Sequence, residues 1–538
     1  MARHMVGLGT VEALIFLLVT VLALTALARN LLIPYPILLV IGGLVISVVP
    51  GVPQVPLEPE WVFLVFLPPV LWSAAYFTSL RDFRNNLRPI SLLAIGLVAA
   101  TTAAVAVAAR WLLPGIGWPA AIVLGAIVSP PDAAAATAVG RRLAIPRRVI
   151  VVLEGESLFN DATALVLYRA AVAAAVTGHF VLYDTLLQFV FSAAGGVAVG
   201  LVVGALTRKV LTVIPDTFTA TLVTVLAPYA AWVAGERVHV SAVLACVVGG
   251  IYVRQYFSEA VAPATRIQSR AVWEVLVFLL NGVIFILIGL QLRALWAVID
   301  AGQLVPLLVH GAVVSAVAIA TRMIWVPLAV VLPRALSPAL RRRDPIPPAS
   351  AIFLLAWTGM RGIVSLAAAL SLPLRTASGK PFPYREEIIL LTFVVILVTL
   401  VVQGLSLAPI LRRLRLPDDQ SLAEEEYRAR QAAADAALER LSELAGERWV
   451  VPAHASQLRT RYAQQRERAS SVVPGAGDGT MQNAAAFRRL RHEALTAERR
   501  KLVELRDRGA ISDEVLHRLE HELDVDAVRI GTGELPSL

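Results

Sequence analysis

The feature that most constrains this chain is the length of its uncharged apolar runs. Ile90–Ala109 and Ala13–Ala28 reach or approach the roughly 20 residues that an α-helix needs to cross a bilayer. Similar runs recur as far as about residue 412. A soluble domain needs only apolar stripes, and about a quarter of its residues carry charge. Here 57% of the 538 residues are hydrophobic and 16% are charged, with a mean hydropathy of +0.71. These values exclude an ordinary soluble domain. They predict an all-α polytopic membrane protein, because long apolar runs in lipid satisfy their backbone groups as helices.

Run length predicts about thirteen spans, near residues 8–28, 35–50, 59–77, 88–112, 118–139, 146–175, 184–207, 215–234, 237–255, 270–292, 304–333, 348–373 and 384–412. The apolar N-terminal stretch is too long for a signal peptide and reads as the first span. The formal net charge of +9 is compatible with nucleic-acid binding, but its distribution favours another account. With the N-terminus outside, Arg29, Arg81, Arg84, Arg88, Arg141, Arg142, Arg147, Arg148, Arg208, Lys209, Arg254, Arg266, Arg270, Arg334 and Arg341–Arg343 all fall in inside loops. That is the positive-inside pattern, and it predicts no nucleic-acid partner and a cytoplasmic C-terminus. Arg375, Lys380 and Arg385 run against it, partly offset by Glu386 and Glu387. The one cysteine, Cys246, excludes an intrachain disulfide and reads as a small packing residue.

Composition changes sharply after Arg415, predicting a transmembrane domain over 1–415 and a charged, helical cytoplasmic tail over 416–538. In the tail, Ser421–Glu424 reads as a capping box, Gly446 and Pro452 as a helix stop, and about 470–480 as a linker. The tail lacks a phosphate-cradling glycine motif.

Charge inside the spans carries the chemistry. An ionisable group near the bilayer midplane costs at least about 2.5–3.5 kcal/mol on insertion scales and marks an ion or proton path. Glu154, Ser157 and Asp161 fall at i, i+3 and i+7 and share one helix face; Glu156 and Asn160 lie on a neighbouring face. Such a helix offers oxygen ligands to a hard cation and a carboxylate that can take up a proton. The fifth span holds Ser129-Pro130-Pro131-Asp132, where two prolines remove two backbone donors and break the helix. Its freed carbonyls and Asp132 are further candidate ligands. The twelfth span holds Trp357-Thr358-Gly359-Met360-Arg361-Gly362, a second candidate interruption. The two breaks occupy equivalent places in six-span halves (1–6 and 8–13) that would be inverted repeats, a pointer to a transport site. Arg322 and Arg361 both need partners, and either can pair with Glu156 as a structural ion pair. Glu274, Glu236 and His239 read as solvated or interfacial ends, and Asn281 as an interhelical hydrogen bonder.

Residues 129–132 (SPPD), 154–161 (EGESLFND) and 357–362 (WTGMRG) resemble the motifs of the monovalent cation:proton antiporter-1 family, the bacterial sodium/proton exchangers. Ser241–Ala245, Phe278–Gly282 and, in the tail, Ile511–Glu514 fit that family too. The resemblance covers about residues 10–413. It implies a thirteen-span inverted-repeat transporter, a homodimer with dimerisation and core domains that move in an elevator-like way, exchanging Na⁺ (with Li⁺ or K⁺ as alternatives) for H⁺. It implies no cofactor beyond the transported ions. By the same resemblance Asp161 is the ion-binding aspartate, Asp132 the aspartate of the broken helix and Ser157 a cation ligand. Asn160 in place of a second aspartate marks one-for-one electroneutral exchange, and Glu156 pairs with the intramembrane arginine, pointing to Arg322. Two positions depart from the family pattern. Pro131 stands where a threonine is common, so that hydroxyl is lost unless Ser129 replaces it. Ser73 stands where many members carry a glutamate. The Ala/Arg-rich composition suggests a bacterial source and hence the inner membrane. The rival readings are a K⁺/H⁺ exchanger, and a gated cation channel or sensor with a regulatory tail.

Overall fold

A computed structural model of the protein describes residues 2–31, 34–49, 59–132, 145–178, 182–291, 293, 301–414, 420–447, 449–470, 494–508 and a few positions beyond. Among them every regular element is helical; the isolated bridge between Arg375 and Pro381 forms no strand. The chain divides into two compact units, Met1–Pro417 and Asp418–Leu538.

In the first unit the helices run α1 (Ala2–Leu31), α2 (Tyr35–Val48), α3 (Pro59–Phe77), the short α4 (Leu80–Asn85), α5 (Leu87–Leu112) and α6 (Trp118–Val128). They continue with α7 (Arg147–Thr177), α8 (Leu182–Val213), α9 (Thr217–Arg237), α10 (Ala242–Ala260), α11 (Pro263–Leu290) and α12 (Ala301–Leu336). After the short α13 (Pro338–Arg343) come α14 (Ala349–Trp357), α15 (Ile363–Leu370) and α16 (Arg385–Leu414). Among the described residues, seven helices are long and apolar enough to cross a membrane, α3, α5, α9, α11 and α16 among them. The protein is therefore a multi-pass membrane protein.

The helix faces are sorted for lipid. On α9, Phe218, Leu222 and Leu226 recur every four residues and are each more than half exposed, while Thr221 and Thr224 of the same helix are buried. Where lipid surrounds a helix the hydrophobic effect does not drive helices together, so close packing does so through small residues. Gly196 and Gly200 of α8 lie against α10: a methyl group added at either would come 2.6 Å from the Ser241 carbonyl or 2.7 Å from that of Ala245. Buried Cys246 directs its Sγ at the Pro228 carbonyl (3.4 Å).

Among the described residues three helices contain one π-type turn each: Val62–Phe66 in α3, Leu92–Leu97 in α5 and Thr399–Gln403 in α16. The extra residue loosens the hydrogen-bond ladder and lets a neighbour reach the backbone. Tyr229 donates to the Val65 carbonyl at 3.2 Å and the Trp325 indole to that of Leu92 at 3.0 Å. These turns were not read in the sequence, because Pro68-Pro69 after the first, Gly96 inside the second and Gly404 after the third form no common pattern.

In the second unit α17 (Gln420–Glu443) and α18 (Pro452–Ser470) pack together, with Arg466 on Asp435 at 3.3 Å and Ala434 and Ala455 buried. The helix already includes Ser421, which therefore does not cap it. Pro452 opens α18, as its fixed φ and missing donor favour at a helix start, and does not merely end the preceding helix. Of the linker read at about 470–480, Ser470 ends α18, and 471–480 lie outside the described residues, as do Ser512–Glu514.

Candidate functional site

The site is built where two helix interruptions meet one continuous helix. At Ser129–Asp132, as the two prolines require, the chain leaves the helical path of α6; residues 133–144, with Arg141 and Arg142, lie outside the described part. The second interruption, Thr358–Gly362, separates α14 from α15. The two breaks are stitched directly: the Asp132 amide donates to the Met360 carbonyl at 2.7 Å. Gly362 is required at the crossing because a Cβ there would overlap the Asp132 carboxylate. Arg361, 1% exposed, donates from Nε to the Val128 carbonyl (3.1 Å) and from Nη1 to that of Gly359, while its amide donates to Thr399 Oγ1 (3.2 Å). It thus places a cation at the C-terminal end of α6, where exposed carbonyls and the helix dipole favour one. It bonds to carbonyls at both breaks and to a hydroxyl, and so splints the breaks together.

Helix α7 supplies the rest. Glu156 and Arg322 form a two-point pair, both 1% exposed, with Nη2 on Oε2 at 2.8 Å and Nη1 on Oε1. Arg322 Nη2 also donates to the Leu355 carbonyl at 3.1 Å. Of the two arginines offered by the sequence, Arg322 takes Glu156. Asn160 is fully buried, and its amide donates to the Pro131 carbonyl at 2.7 Å. One carbonyl left open where the chain leaves the helix is therefore taken by Asn160, which anchors α7 to the break. Ser129 donates back to Ala126 at 3.0 Å within its own helix.

The remaining groups face a cavity of about 500 Å³, whose lining includes Asp132, Glu154, Ser157, Asp161, Ser73 and Ser365. Asp161 is 7% exposed, and among the described residues no hydrogen bond or ion pair to its carboxylate is found. It lies close enough to Asp132 for the two carboxylates to repel one another. Two near carboxylates with hydroxyls around them form an oxygen-rich site for a hard monovalent cation, and a proton can serve the same charge. Asp161, Asp132 and Ser157 are thus brought together, whereas Asn160 and Ser129 are engaged with backbone carbonyls. Sequence reasoning missed Ser365, whose buried hydroxyl has no partner among the described residues. The available signal was its position three residues after Gly362, on the restart of the interrupted helix. Glu274, read as a solvated end, also lines this cavity and is held by Arg270 at 2.9 Å. Asn281 lines it as well. A second cavity, of about 1090 Å³, touches the next turns of α7 at Ala162, Leu165 and Arg169, where Arg169 meets Glu236 at 3.1 Å.

Residues 15–413 match the family described as sodium/hydrogen exchanger, transmembrane. The chain belongs to that family. An uncharacterized Na⁺/H⁺ exchanger of Mycobacterium tuberculosis is 36% identical over 533 residues, 96% of this chain and 97% of that protein. A sodium, potassium, lithium and rubidium/H⁺ antiporter of Bacillus pumilus is 32% identical, over 73% of this chain and 61% of its own. The exchanger fold is shared with a solved sodium proton antiporter from Methanocaldococcus jannaschii, at a TM-score of 0.61 and 20% identity, over 76% of this chain and 98% of that one.

Proposed function

We propose that this exchanger-family protein is a secondary active antiporter that moves Na⁺ against H⁺, with the two ions competing for Asp161. The observation that carries the reading is the contrast within α7. Glu156 is neutralised by Arg322, whereas Asp161 faces the cavity beside Asp132 without an ion pair among the described residues. A bare carboxylate is expensive to move through a bilayer, so only the loaded form, with either proton or cation, crosses. One carboxylate serving one ion at a time gives one-for-one, electroneutral exchange, with Asn160 in place of a second acid. Asp132 and Ser157 complete the cation shell, and the Bacillus relative's name supports Li⁺ and K⁺ as further substrates. α7 also borders a second cavity beyond Asp161, which supports access to the site from the other side in a second conformation.

In this reading residues 1–415 form the transmembrane antiporter domain, of thirteen spans in two inverted halves, and 416–538 a cytoplasmic tail. The N-terminus is outside, the membrane is the bacterial inner membrane, and the protein works as a homodimer without a cofactor. The test is proton flux in everted vesicles, followed with a pH-gradient dye as Na⁺, Li⁺ or K⁺ is added. Dissipation by Na⁺ that disappears in Asp161→Asn supports the reading; retained Na⁺-dependent flux in that variant, made to normal levels, overturns it.

A further inference from the structure

Where α5 and α7 begin and α12 ends, three arginines converge on one carboxylate. Asp344 accepts from Arg148 (2.7 Å), Arg334 (2.5 Å) and Arg88 (3.3 Å). Arg334 is 2% exposed. Burial pushes the Asp344 carboxyl up, but Arg148, Arg334 and Arg88 outweigh it and hold it below the ordinary carboxylate range. It is therefore ionised, and the cluster still keeps two positive charges more than it neutralises. The nearby Asp82 does not offset them, because it pairs with Arg147 at 2.7 Å.

Two further observations make the excess costly. Arg88 and Arg148 stand in the first turns of α5 and α7, where the positive end of the helix dipole disfavours a cation. Neither helix has an acidic residue in its first turn or a side-chain cap of its N-terminal amides. In addition, Arg88 Nε and Nη1 are shielded from water and have no hydrogen-bond partner among the described residues. The Arg88 side chain as a whole is 32% exposed, but two of its guanidinium nitrogens thus lack a partner that an oxyanion could supply. Beside it lies a cavity of about 430 Å³ lined by Asn86, Arg88, Arg148 and Asp344, among others.

We propose that this cavity is a binding site for a phosphate-bearing anion, either free phosphate or a phospholipid headgroup. Arginine forks match phosphate oxygens in pairs, and two uncapped helix N-termini add their amides and dipoles. α5 is long and apolar enough to span, so its end lies at headgroup depth, where basic pockets between helices take anionic lipids. The site does not involve Asp161, and its test does not depend on transport.

The test is thermal unfolding of the full-length protein in neutral detergent, titrated with inorganic phosphate, with short-chain phosphatidylglycerol or with phosphatidylcholine. Sodium chloride at equal ionic strength is the control. A saturating ligand should raise the midpoint by a few degrees. Arg88→Gln and Arg148→Gln should lose that rise, and Arg88→Lys, which keeps charge but not the fork, should keep part of it. Asp344→Asn removes the competing carboxylate and should tighten binding by about threefold or more, the sign opposite to the arginine variants. A rise with phosphate alone assigns a free anion, and a rise confined to phosphatidylglycerol assigns a headgroup. No rise beyond chloride, or an equal rise in the arginine variants, overturns the proposal.

Discussion

Five residues apart on one helix, two buried carboxylates have opposite fates. Glu156 is held at two points by Arg322, with both side chains sealed from solvent. Asp161 is nearly as buried, but it faces a cavity and its acidic neighbour Asp132. A charge matched by a fixed partner is stabilised in place, and it has no reason to take up or release an ion. A charge that faces another carboxylate, with no cation paired to it among the described residues, needs a mobile cation or a proton to offset it. The helix therefore separates structural from working charge by about one and a half turns.

The largest expected effect comes from exchanging these roles. Asp161→Asn should reduce Na⁺-driven proton flux to background while the protein folds and melts normally. Glu156→Gln should do the reverse in kind. It strands Arg322 in the interior, a loss of about 3–5 kcal/mol for a broken buried pair, read as poor yield and a lowered melting point. Replacing both partners by apolar residues, Glu156→Met with Arg322→Met, should recover much of that stability, because no charge is then left unpaired. If the double variant melts as low as the single one, the pair does more than neutralise itself. If Glu156→Gln folds normally yet loses flux, the separation of roles is wrong.

A smaller effect is expected at Asn160. Its hydrogen bond to Pro131 ties α7 to the break, so Asn160→Ala leaves a buried carbonyl unsatisfied at a cost of about 1–3 kcal/mol. The melting point and the maximal rate should fall, while the Na⁺ concentration at half-maximal rate and the order of cation preference should not change. A shift in that order would make Asn160 a direct ligand.

Much of this was legible before the structure. Run lengths and loop charges pointed to a polytopic helical protein, and the double proline announced a break, because proline removes a donor whatever surrounds it. What stayed hidden was choice among distant partners. Arg322 is 166 residues from Glu156, and residue chemistry alone left it level with Arg361, with only the family resemblance pointing to Arg322; the crossing of the two breaks turns Arg361 toward the carbonyls of Val128 and Gly359. The double proline likewise foretold a break but not that Asn160 would claim the Pro131 carbonyl within it. The π-type turns share no residue signature, and the anion pocket arises from arginines that the sequence offered only as topology markers.

The finest test of the comparison lies at Ser365. The first break offers no hydroxyl at Pro131, and Ser129, the expected substitute, donates to its own helix. Ser365 restores a hydroxyl from the second break: it lines the cavity of Asp161 and Asp132, is 2% exposed, and has no partner among the described residues. A hydroxyl left unpaired in that position has a use only when a cation or a proton-bearing group arrives. Ser365→Ala should therefore raise the Na⁺ concentration needed for half-maximal flux by roughly three- to tenfold, the scale of one lost polar contact, with the maximal rate nearly kept. The loss should be larger for Li⁺ than for K⁺, since a smaller ion depends more on each close oxygen, and Ser365→Thr should restore both. Were Ser365 only a packing residue, alanine would change the melting point and leave the cation order untouched, and the hydroxyl completing the shell would have to come from Ser73 or Ser157.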